Sequence, residues 1–143
     1  MTVTATTTLN GGPDFEVSLA PDLGALAPVR REVARRLGAH GVLPATVNDV
    51  LLVVCELCTN AIQASEPADA PVRVRVGLGS AAIVVEVENL GPSFDALDRI
   101  GHRAADTEGG RGLTIVLALS DDVSVRFDDG RCTVRAVVAE GPR

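Results

Sequence analysis

The stretch from about Pro44 to Ser65, PATVNDVLLVVCELCTNAIQAS, constrains the fold more than any other part of the chain. Val47, Val50, Leu51, Val54, Leu57, Cys58, Ala61 and Ile62 recur at helical spacing and cover one wide face, which must be buried against something. Glu56 and Asn60 stack one above the other on a second face, together with Asp49 and Gln63. A solvated face would account for such a stripe. Two features favour the wall of a pocket: Leu52 and Val53 flank the polar residues, and the helix has no Arg or Lys.

The elements around this helix follow in order. Residues Met1 to Pro13 are rich in Thr and Gly without periodicity and read as a loose tail, leaving 14–140 as one domain. Phe15, Val17 and Leu19 alternate with polar residues as a short strand. Pro21 and Asp22 open a helix to about Gly38 with Leu26, Val29, Val33 and Leu37 as its seam. Arg30, Arg31, Arg35 and Arg36 crowd its polar side, as a solvated face or a contact surface for an acidic partner. Pro67 and Pro71 end the central helix. Val72–Leu78 and Ile83–Val87 form a hairpin around Gly79 and Ser80, and Asn89–Gly112 reads as a long loop with a short helix near Ala96–Ile100. Leu113–Leu119 is helix-like. Val123–Phe127 and Cys132–Val138 close a last hairpin through Asp128, Asp129 and Gly130. The pattern predicts an α+β, two-layer fold: a sheet of about five strands, mixed but mainly antiparallel, with about three helices on one face.

Composition excludes several functions. A net charge of −6 argues against nucleic acid or anionic membrane as the main partner. All 13 basic residues are Arg, so a Walker-type P-loop and Schiff-base chemistry are both ruled out. Apolar runs fall short of a membrane span and no signal-peptide pattern opens the chain, which gives the expectation of a cytoplasmic protein. Cys55 and Cys58 form a CxxC in mid-helix without a second cysteine pair, and read as small buried residues.

Two glycine-bearing stretches add chemistry. Asn89-Leu90-Gly91-Pro92-Ser93-Phe94 follows a buried strand; taken alone it is an ordinary turn, although Asn89 offers a donor and an acceptor to a base edge. Gly109-Gly110-Arg111-Gly112-Leu113-Thr114 precedes an apolar helix, either as a flexible linker or as a phosphate cradle of free N–H groups.

In this order and spacing the three stretches resemble the nucleotide site of the histidine-kinase-like ATPase superfamily, with the Bergerat-type sandwich that implies. Glu56 to Ala61 is similar to its N box, Asn89 to Phe94 to its first Gly box, and Gly110 to Leu113 to its second. The compact size and the GRGL form of the second box resemble the bacterial anti-sigma-factor serine/threonine kinases most. The resemblance implies ATP and Mg²⁺ as cofactors, with Asn60 holding the ion and Glu56 as general base. It implies Asn89 at the adenine amino group with Gly91 making room for the ring, Gly110, Arg111, Gly112 and Thr114 clasping the phosphates, Ser93 and Leu113 among the nucleotide-binding residues, and 94–108 as a lid. It further implies a sigma factor and an antagonist protein as partners, and a homodimer. The alternative is a nucleotide-binding module that sequesters without transferring phosphate. Two positions depart from the family pattern: Asn89 stands where Asp is usual, leaving adenine against guanine open, and Ser93 replaces a glycine.

Overall fold

The computed structural model describes residues 3–6, 14–65, 67–91 and 111–140; for 3–6 and 111–113 only the backbone is described. The elements run β1 (Val3–Thr6), β2 (Phe15–Leu19), α1 (Leu26–Ala39), α2 (Pro44–Ala64), β3 (Val72–Leu78), β4 (Ala82–Leu90), α3 (Arg111–Leu119), β5 (Asp122–Asp128) and β6 (Arg131–Ala139). The strands form one six-stranded sheet in the order β1-β2-β3-β4-β6-β5.

Every pairing among the described residues is antiparallel, which corrects the expectation of a mixed sheet. Two helices separate β2 from β3, so the chain returns reversed and the strands pair as neighbours. β4 and β5 both pair antiparallel with β6, which lies between them, so they run the same way without forming a parallel pair. A second correction concerns the stretch read as a loose tail. Val3–Thr6 pairs with β2 as an edge strand, from Val3 opposite Leu19 to Thr6 opposite Glu16. Its Thr-rich sequence carries no alternation, and an edge strand needs only a neighbour's free backbone groups. The expected short helix at Ala96–Ile100 lies outside the described residues.

The core lies between the sheet and the helices. Phe15, Val17 and Leu19 of β2, Val72, Val74 and Val76 of β3, and Ile83, Val85 and Val87 of β4 are all buried. Against them pack Val29, Val33 and Leu37 of α1 and Val50, Val53, Val54, Leu57, Cys58 and Ala61 of α2. With 21 residues, α2 is long and apolar enough to cross a membrane by length and composition, more than the apolar runs alone suggest. Here its apolar face is spent on the sheet. Sequence terminates the helices locally: the Asp22 carboxylate accepts from the Gly24 N–H at 3.0 Å ahead of α1, which begins only after a single tight turn at Leu23–Ala25. Pro44 supplies the preset first turn of α2.

The outer face of the sheet is a ladder of opposite charges. Arg73 stands between Glu16 (3.8 Å) and Glu88 (3.7 Å), Arg131 meets Glu88 at 2.9 Å, and Arg75 stands between Asp14 and Glu86, 3.9 Å from each. The β5–β6 turn has Asp129 at φ 51° and Gly130 at φ 76°, the left-handed pair that a two-residue hairpin requires.

Candidate functional site

Helix α2 packs against β4 and α3, and this brings the sequence-derived residues towards one end of the sheet. Glu56 and Asn60 lie along the flank of its buried face and are both half-buried. Their neighbours on the stripe differ sharply: Val53 is fully buried, while Leu52 is 46% exposed. Nδ2 of Asn60 is enclosed and makes no hydrogen bond among the described residues. A buried amide left unpaired costs about 1–3 kcal/mol, and such an atom calls for a reason. By contrast, the neighbouring hydroxyls of the helix are satisfied: Thr59 Oγ1 donates to the Cys55 carbonyl at 2.7 Å and Ser65 Oγ to that of Ala61 at 2.8 Å.

Asn89, near the end of β4, faces the helices and is 6% exposed. Its Nδ2 donates one of its two N–H groups to the Leu90 carbonyl at 3.1 Å. The oxygen offers an acceptor that suits an exocyclic amino group such as that of adenine. Two residues on, Gly91 is held close to α2. A Cβ placed there would lie 2.9 Å from the Ala64 carbonyl oxygen and 3.2 Å from Nδ2 of Asn89. Glycine is thus required where the end of α2 meets the end of β4. The Gly91 N–H also donates to the Gly130 carbonyl at 3.1 Å, tying this corner to the last hairpin.

The second glycine stretch is described in part. Helix α3 begins at Arg111, earlier than the apolar run predicted, so Arg111, Gly112, Leu113 and Thr114 form its first turn. An N-terminal turn presents backbone N–H groups and the positive end of the helix dipole, which suits phosphate. Thr114 is exposed. Ser93, Gly110 and the expected lid at 94–108 lie outside the described residues.

One neighbour of the site escapes sequence reading. Cys132 of β6 stands directly opposite Asn89 in the ladder, and both are buried on the helix-facing side. Only the register of two strands far apart in the chain brings them together. The other two thiols carry no such relation. Burial pushes those of Cys55 and Cys58 up from their ordinary values, which keeps both protonated and inert. No cluster of three or more potential metal ligands occurs among the described residues. A Mg²⁺ ion here would therefore rest on one amide oxygen and on phosphate oxygens, the usual way in which Mg²⁺ rides on a nucleotide. The enclosed Asn60 Nδ2 is a donor and suits a phosphate oxygen, while the amide oxygen of the same side chain is the atom that could ligate the ion.

A family model described as a histidine kinase-like ATPase domain matches residues 19–138. Serine-protein kinase RsbW of Bacillus licheniformis is 33% identical over 96 residues, covering 59% of this chain and 60% of the relative. A second sequence of that name and species is 34% identical over 95 residues, covering 59% of each. The match thus spans about 60% of the length of these relatives. Among solved structures, the RsbU and RsbW domains of a Mycobacterium tuberculosis protein superpose with a TM-score of 0.65 at 17% identity, covering 91% of this chain and 33% of that one. The SiaB–SiaC complex of Pseudomonas aeruginosa gives a TM-score of 0.62 at 18% identity, covering 85% of this chain and 89% of that one. At such identities the structural matches establish the fold.

Proposed function

The chain belongs to the histidine kinase-like ATPase family, and from that premise we propose that it is an ATP-dependent serine/threonine kinase of the anti-sigma type. In this reading it works in the cytoplasm, sequesters a sigma factor and phosphorylates an antagonist protein on Ser or Thr. The observation that carries the proposal is the enclosed Asn60 Nδ2, a donor without a partner among the described residues and suited to a phosphate oxygen, on one stripe with Glu56 and beside the corner where Gly91 meets α2. Nucleotide binding is what the family membership implies; the two similar Bacillus licheniformis sequences named serine-protein kinases support the transfer reaction.

Bound Mg-ATP supplies the phosphoryl group and a divalent charge to neutralise its oxygens. Asn60 would hold the ion through its amide oxygen. Glu56, one turn towards the N-terminus of α2, would accept the proton of the attacking Ser or Thr hydroxyl. Asn89 would orient the base with Oδ1, its NH₂ being anchored through one N–H on the Leu90 carbonyl. Gly91 fixes the corner between the ends of β4 and α2 beside Asn89, and the first turn of α3, with Gly110 ahead of it, would meet the phosphates.

A second reading, sequestration without transfer, draws on Asn89 standing where the family usually has a carboxylate. The test that separates the two is transfer of labelled phosphate from ATP to the antagonist in the presence of Mg²⁺. The kinase reading expects stoichiometric labelling that Glu56→Gln abolishes; labelling that never appears, despite tight Mg-ATP binding, would leave sequestration.

A further inference from the structure

We propose that the groove between α1 and α2 docks an acidic amphipathic helix of a protein partner. The inference builds on the partner-binding role just proposed and gives it a surface. The groove has a volume of about 270 Å³ and is lined by Ala27, Arg30, Arg31 and Ala34 of α1 and by Leu51 of α2. Ala27 and Ala34 keep its floor low, so an incoming helix can approach closely, while Leu51 offers an apolar contact.

The four arginines of α1 divide into two pairs with different employment. Arg35 and Arg36 are both tied to Glu32 at 2.8 Å, and Arg36 also lies 4.9 Å from the centre of the Phe15 ring. Arg30 and Arg31 are exposed and make no ion pair among the described residues. They are the two that line the groove. After burial, the charge of Arg30 is the largest influence on the Cys55 thiol, which sets its guanidinium near the boundary with α2. The protein carries a net charge of −6, so most of its surface repels an acidic partner. A local basic rim on such a molecule steers the partner to one place and fixes its register. Two arginines flanking a short apolar floor match a helix bearing Leu on one face with Glu on either side. They are too few for the phosphate track of a nucleic acid.

The experiment measures fluorescence anisotropy of a fluorescein-labelled helical peptide with a Leu face flanked by Glu, against a counterpart in which Lys replaces Glu. The acidic peptide should bind and the basic one should not. Arg30→Glu with Arg31→Glu should weaken binding by about tenfold or more, and Ala27→Trp, which fills the groove but keeps the charge, should weaken it comparably. Arg126→Glu with Arg135→Glu changes the net charge equally on the outer sheet face and should leave binding unchanged. Melting curves verify that each variant is folded, and the rise in Tm with Mg-ATP on the same proteins reports separately on the nucleotide site. The proposal is overturned if the acidic peptide binds no better than the basic one, or if the Arg30/Arg31 variant binds as tightly as the parent.

Discussion

Helices α1 and α2 lie side by side on the same sheet and treat their polar faces in opposite ways. On α1, Glu32 is gripped by both Arg35 and Arg36, and these hydrogen bonds pull its carboxyl down to about 2. Those charges satisfy one another along the helix surface. On α2 the polar stripe has no cation of its own, Glu56 is half-buried, and Asn60 keeps an enclosed Nδ2 without a partner among the described residues. A helix that only needs to be wet neutralises itself cheaply, as this half of α1 does. One that leaves polar groups unsatisfied beside a buried core is shaped for something that arrives later.

The comparison breaks or sharpens at particular residues. Glu56→Gln keeps the shape and an oxygen but loses the basicity. Phosphate transfer should fall by at least about a hundredfold while ATP affinity barely changes, because a general base contributes about 10²–10⁴-fold. Rates and affinities measured on one preparation decide it; transfer at the normal rate would make the Glu56 stripe no different from α1. Asn89→Asp comes next. A charged acceptor should strengthen ATP binding by about 1 kcal/mol, and GTP should gain nothing. The same change removes the donor that holds the Leu90 carbonyl, so the ligand-free protein should melt lower. Calorimetry with both nucleotides reads the first effect and a thermal melt the second.

The smallest effect belongs to α1. Glu32 has a folded-state value of about 2 against an ordinary 4.5, so its ion pairs stabilise the fold above about 4.5, and that contribution is lost as pH falls through about 2. The pairs face solvent and are screened, so Glu32→Gln should cost only about 0.3–1 kcal/mol at neutral pH. The gap between variant and parent should close below pH 4.5 on the way to about 2, as chemical denaturation over that range would reveal.

Much of this architecture was legible because periodicity encodes burial. The bounds of α2 follow from Pro44 at its first turn, and its buried face from Val50, Val54, Leu57 and Cys58. The Val-Arg alternation of β3 told both faces of that strand correctly, the Arg side becoming the charge ladder. What escaped depends on contacts between distant segments. Val3–Thr6 has no pattern of its own and is a strand only because β2 offers an edge. The position of Cys132 opposite Asn89 depends on strand register. Sequence left the Asn89 amide free to read adenine or guanine, and its bond to the Leu90 carbonyl is a local choice that composition cannot express. Asn60 and Glu56 could be singled out by spacing, but not the fact that one nitrogen is enclosed and unpaired among the described residues.

The central claim is that the α2 stripe holds a nucleotide, with Asn60 kept unsatisfied for it. The most direct measurement is the melting temperature of the parent and of Asn60→Ala, each with and without Mg-ATP. Without ligand the variant should melt at or slightly above the parent, since the substitution removes an enclosed Nδ2 that makes no hydrogen bond among the described residues. With saturating Mg-ATP the parent should gain several degrees by mass action, and the variant should lose most of that gain. A ligand-free variant that melts well below the parent, or a parent whose melting curve Mg-ATP leaves unmoved, would contradict the account.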